Sequence, residues 1–255
     1  MAELLQSLIL YGFVGLLILL RFDAPRFGAA DADDEEQTGL RDWLRRLSWY
    51  VFALGLIGIV YWMYARPISV LHLQVGANFG TVLVAGLALG AIGTFVALSY
   101  AWLRYREIRL PAVRRYPAGL LTCVGTALVD EGIFRGIVLG LLLAADWPLE
   151  LAVTFQAVLY ILATRLAGRD RPISMVLIFL GLGLIAGWLT VETAGIGAAV
   201  LGHALTRFAI FITTGHAGVL RDVTTEYDEA VEAAELTPEG WEIVPDHDQG
   251  GGYRW

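Results

Sequence analysis

Two runs of this chain place ionisable residues four apart inside otherwise apolar sequence. Asp130, Glu131 and Arg135 fall within Leu128-Val-Asp-Glu-Gly-Ile-Phe-Arg-Gly136, and His203 and Arg207 close the run that begins at Gly195. On a helix, residues four apart share a face, so Glu131 can pair with Arg135, and His203 lies one turn from Arg207. Asp130 points about 100° away from Glu131. One carboxylate can thus be held by Arg135 while the other stays open to a ligand, water or a metal. The plainer alternative is an ion pair that fixes helix register, with His203 bonded to a carbonyl.

The elements carrying these residues must be membrane helices. Of 255 residues, 57% are hydrophobic and 17% charged, with a mean hydropathy of +0.63. A soluble domain has roughly 45–50% apolar and about 25% charged residues, so a soluble globular enzyme is excluded. A charged side chain at mid-bilayer costs about 2.5–3.5 kcal/mol even on lenient scales, so three within six residues call for compensation. Seven stretches have the length that crosses the hydrocarbon core: 4–20, 48–65, 80–103, 118–145, 148–165, 172–191 and 195–214. Helix rise puts Asp130 roughly 22 Å and His203 roughly 12 Å from the outer ends of their spans, a broadly similar depth. The fifth span adds Thr154, Gln156 and Tyr160, which are polar but uncharged.

All 18 basic residues are Arg, and their alternation between connections sets a direction. Arg21, Arg26, Arg41, Arg45 and Arg46 follow the first span, and Arg66 follows the second. Arg104, Arg106, Arg109, Arg114 and Arg115 follow the third, and Arg165, Arg169 and Arg171 follow the fifth. The fourth and sixth connections have none. Basic connections stay inside, which predicts an outer N-terminus and a cytoplasmic C-terminus. The expected fold is an all-α polytopic membrane protein with about seven transmembrane helices in the cytoplasmic membrane. Residues 1–114 supply the first three spans, 115–214 the core that carries the site, and 215–255 an acidic tail.

Within the connection 22–47, the acidic run Asp31, Asp33, Asp34, Glu35 and Glu36 reads as a solvated loop and Leu40 to Leu47 as an interfacial helix. A short tail helix is expected near Glu226–Leu236, with disorder over Gln249–Gly252. The tail is acidic and the chain has no basic patch, so nucleic acid is not an expected partner. One cysteine, Cys123, excludes disulfide frameworks and Cys-cluster metal sites. Gly86/Gly90, Gly136/Gly140 and Gly183/Gly187 recur at the spacing that lets helix backbones approach closely.

The run Asp130-Glu131-Gly-Ile-Phe134-Arg135-Gly136 resembles the first motif, Glu-Glu-x-x-x-Arg, of the CPBP intramembrane proteases, which include the CAAX prenyl proteases. Gly195 to Arg207 resembles the family's last motif, His-x-x-x-Asn. The resemblance covers roughly residues 115–214. It departs in three places: Asp130 stands for the first Glu, Arg207 for the Asn, and Leu159 falls where the second motif, Phe-x-x-x-His from Phe155, has its imidazole. Sliding by one to Tyr160 supplies no imidazole either.

The resemblance implies peptide-bond hydrolysis inside the bilayer, acting on a membrane-anchored peptide or protein among membrane lipids. Asp130 or Glu131 would be the base, with Arg135 orienting it. His203, with Arg207, would stabilise the oxyanion. A divalent metal such as zinc would draw on Asp130, Glu131 and His203, although Arg207 one turn away opposes a cation and a catalytic zinc takes three protein ligands. Two other readings stand beside it. One is a catalytically inactive family member serving as a membrane scaffold or binding partner, with Glu131–Arg135 and Asp130–Arg207 as ion pairs. The other is a small proton-coupled transporter, disfavoured because no inverted repeat is visible.

Overall fold

The computed structural model describes residues 2–29, 40–64, 68–105, 110–111, 115–164, 173–214, 242–244 and 252–254. Residues Met1–Val219 form one compact unit and Leu220–Trp255 a second. In the first unit every apolar stretch forms a helical rod. The order is α1 (Ala2–Phe22), α2 (Leu40–Met63), α3 (Phe79–Tyr105), α4 (Tyr116–Glu131), α5 (Leu139–Ala144), α6 (Leu149–Ala163), α7 (Ile173–Glu192) and α8 (Gly197–Thr214). A π-helical segment, Gly132–Val138, joins α4 to α5 as one rod.

Among the described residues, four helical segments are long and apolar enough to cross a membrane: Leu5–Phe22, Trp43–Met63, Phe79–Leu103 and Ile173–Glu192. Leu149–Ala163 and Gly197–Thr213 are apolar but shorter. The outer surface is what lipid requires: Leu8, Leu19, Phe52, Trp62, Val84 and Phe95 are all exposed. Soluble monomers rarely present so much contiguous apolar area. Hydroxyls inside the rods are silenced locally. Thr154, Thr164, Thr190, Thr206 and Thr213 each donate to the carbonyl four residues earlier, as a medium without water demands.

Two of the sequence expectations for the flanking segments change. Leu40 to Leu47 is no separate interfacial helix; it forms the first turns of α2, because its apolar pattern continues unbroken into the span. Gly252 opens a strand, β2 (Gly252–Arg254), paired antiparallel with β1 (Glu242–Val244) so that Ile243 faces Tyr253. The acidic run 31–36, the tail segment 226–236 and residues 249–251 lie outside the described residues.

Glycines set how closely the rods pack. Along α3, a Cβ on Gly86, Gly90 or Gly93 would run into Leu201, Leu205 or Thr206 of α8. These helices therefore meet backbone to side chain, and α8 is held with His203 turned inward. Gly140 faces the 3-10 turn Ile68–Leu71, where a Cβ would sit 2.4 Å from the Val70 carbonyl oxygen and 2.8 Å from Leu71 Cα. Backbone cannot yield as a side-chain tip can. Gly140→Val is expected to cost about 1–3 kcal/mol or more. Gly181→Ala, with open space around it, should leave thermal unfolding unchanged or slightly later. Equal melting of both variants would refute the close approach.

The connection before α3 and the turn before α8, assigned to one side by the arginine count, are bonded to each other. Ala77 N donates to Thr193 O at 2.9 Å, Gln74 Nε2 to Ala194 O at 2.6 Å, and Ile196 N to the carbonyls of His72 and Gln74. His72 adopts a left-handed conformation (φ 49°), and its Nδ1 is buried without a hydrogen-bond partner. Burial holds its pKa below the ordinary 6.5. The unfolded chain therefore binds the proton first as pH falls. The corresponding stability is complete above about pH 6.5 and declines on acidification below it. In His72→Asn, which keeps a residue tolerant of positive φ, the melting temperature should fall less between about pH 7 and pH 5. An identical decline in both proteins would exclude His72 as a source.

Candidate functional site

The site is built where the α4 rod changes its winding. Asp130 and Glu131 end the α-helical part, and Arg135 lies in the middle of the π segment. Such widened turns are rare and concentrate at functional sites. Gly132 and Gly136 admit Ile57 and Leu73 against the rod, where a Cβ would come within 3.0 and 2.5 Å. The two acids then face different neighbours, as their angular offset requires.

Asp130, fully buried, faces α1. Arg21 Nε and Nη2 donate to its Oδ1 and Oδ2 at 2.5 and 3.2 Å, a two-pronged contact with Arg21 itself only 2% exposed. The carboxylate expected to remain open is thus taken. Its partner is an arginine that the sequence had placed in a connection as a mark of orientation. Trp49 Nε1 donates to Leu20 O next to it, and Tyr50 Oη shares a hydrogen bond with Thr126 Oγ1 at 2.8 Å, fixing α1, α2 and α4 around the pair.

Glu131 faces α8. Its Oε1 lies 2.7 Å from His203 Nδ1, and its Oε2 lies 3.2 Å from Arg135 Nε. The depth match read from helix rise is realised as direct contact. An ionised carboxylate can only accept, so in that state Nδ1 carries the proton of the His203 bond. The Arg135 approach is an ion pair without hydrogen-bond alignment: Glu131 Oε2 and Arg135 Nε and Nη1 are buried and lack hydrogen-bond partners. The guanidinium rests 4.4 Å above the Tyr160 ring, whose edge contacts His203 and Phe134. Gly183 of α7 leaves the room, since a Cβ there would stand 3.1 Å from Arg135 Nη2.

Beside these groups lies a cleft that opens to the surroundings, with about 360 Å³ of empty space when its open mouth is counted in. Its polar wall is Glu131, Arg135, Tyr160, His203 and Thr206, and its apolar wall includes Leu89, Phe179 and Leu182. Glu131, Arg135 and His203 are therefore together, while Asp130 is turned away to Arg21. Arg207 is buried one turn beyond His203, outside the cleft wall and within electrostatic range of Asp130 and Tyr160.

A zinc centre does not fit this arrangement. Both Asp130 oxygens face Arg21, which leaves Glu131 and His203 as two donors where three are needed. Among the described residues no group of three His, Cys, Asp or Glu side chains converges. Two contributors were missed by sequence reasoning. Arg21 stands 109 positions from its partner. Tyr160 showed only as a polar residue in a span, next to Leu159, which packs into the main apolar core.

An apolar-faced helix bundle with a sequestered acid–imidazole–guanidinium cluster is an integral membrane protein with a polar site inside its span region. Residues 112–209, which carry every cleft-lining residue except Leu89, match the family model described as Rce1-like, type II CAAX prenyl endopeptidase Rce1-like. Over those residues the chain is similar to the CAAX protease family, as the two motifs implied. No curated protein matches the chain at a significant level.

Proposed function

We propose that the chain is a CAAX-protease-like intramembrane endopeptidase of the cytoplasmic membrane in which Glu131 activates water. One observation carries this reading: Glu131 bonds His203 through Oε1, and both residues line one open cleft. His203 fixes the carboxylate, and the carboxylate accepts a proton from water entering the cleft. The hydroxide adds to the carbonyl carbon of a membrane-anchored peptide, and the carbonyl electron pair moves onto oxygen. Arg135 Nη1, without a hydrogen-bond partner, supplies positive charge to that oxyanion. Collapse breaks the C–N bond, and Glu131 returns its proton to the departing amine. No metal enters these steps.

The full chain in liposomes, given quenched-fluorescence peptides anchored by a prenylated cysteine, should cleave them, and Glu131→Gln should not. Equal cleavage by Glu131→Gln overturns the assignment. A second reading, a non-catalytic membrane scaffold, is favoured by the Arg21–Asp130 contact, which neutralises the other acid. Wild-type protein that leaves every anchored peptide intact would select it.

A further inference from the structure

Beside the cleft groups already given a role, Tyr160 is a residue whose chemistry exceeds its packing role. Its ring lies beneath the Arg135 guanidinium at 4.4 Å and presents edge contacts to Phe134 at 5.4 Å and His203 at 6.1 Å between centroids. A phenylalanine would supply all three contacts, because each uses only the π-system or its rim. The residue is 5% exposed and lines the cleft with Glu131 and His203. Among the described residues its hydroxyl meets no hydrogen-bond partner, and it is not one of the sealed, unpartnered polar atoms. The hydroxyl is therefore not sealed, and the residue belongs to the cleft wall. Buried tyrosines nearly always satisfy this group, and retaining it here costs free energy that packing does not recover.

We infer that Tyr160 is a catalytic hydrogen-bond donor to the oxyanion, an inference that rests on the endopeptidase reading. When hydroxide from water adds to the peptide carbonyl, the electron pair displaced onto oxygen is met by the Tyr160 O–H. The proton stays on the phenol throughout, and it is Glu131 that carries the water proton to the leaving amine. The stacked Arg135 holds the ring in place and strengthens the donor by its positive charge. The arrangement puts a neutral donor where this chain has no second imidazole.

The test uses the full chain in liposomes with the same prenylated quenched-fluorescence peptides, comparing wild type, Tyr160→Phe and Glu131→Gln. Tyr160→Phe keeps the ring. Its melting temperature should match wild type, its KM should stay within about threefold, and its kcat should fall roughly 100-fold, the scale of losing one oxyanion donor. Wild-type kcat in Tyr160→Phe, with Glu131→Gln silent, overturns the donor role and leaves the base assignment standing. A large drop in melting temperature on removing the hydroxyl makes its role structural and also overturns it. No cleavage by wild type removes the endopeptidase reading and this inference together.

Discussion

Arg21→Met is expected to destabilise the protein by about 3–5 kcal/mol, the cost of leaving a buried charge without its counter-ion. Asp130 is fully buried and Arg21 nearly so, and the guanidinium meets both carboxylate oxygens. Deleting the cation forces Asp130 either to remain charged in an apolar setting or to take up a proton. Either course costs free energy. Met keeps most of the volume, so a cavity does not explain the loss. Asp130→Asn in the same protein removes the stranded charge and should recover about half of it, a coupling that a double-mutant cycle in detergent reads directly. If Arg21→Met/Asp130→Asn is no more stable than Arg21→Met alone, the pair is not what holds α1 to the core.

The spans were legible because lipid enforces long apolar runs, and the site because charge within such runs is expensive. Glu131, Arg135 and His203 were readable for that reason: four-residue spacing settled the first pair, and helix rise brought His203 to their depth. Helical spacing could not say that the acid Arg135 leaves, Asp130, would be taken by another segment. That depended on α1, whose Arg21 looks like any basic residue at the end of a span. The winding change at Gly132–Val138 has no proline to announce it, and local hydropathy is the same for both windings. The glycine pairs declared close approach without naming the partner. The structure gives Gly86 and Gly90 to α8, Gly183 to Arg135, and Gly187 to Gln156. Tyr160 escaped because its neighbours come from three other segments: the π segment, α7 and α8.

The two adjacent acids should separate cleanly in function. Glu131→Gln is expected to lower kcat on an anchored peptide by about 10²–10⁴-fold, the usual contribution of a positioned base. Gln still meets His203 and preserves shape, so the bundle should stay folded; the lost ion pair with Arg135 lowers its stability without replacing the volume. Asp130→Asn should do the reverse. Its amide cannot balance Arg21, so thermal unfolding comes earlier, yet the surviving folded protein should keep kcat within about tenfold, because Asp130 does not line the cleft. Turnover must be normalised to folded protein, for instance by size-exclusion yield after heating. The opposite pattern, with Asp130→Asn silent and Glu131→Gln active, would mean that Arg21 releases Asp130 during turnover. The base would then be the residue that α1 holds at rest. Both outcomes are decided by one fact of chain geometry. Neighbouring residues on a helix cannot face the same partner, so α1 and α8 each claim one acid.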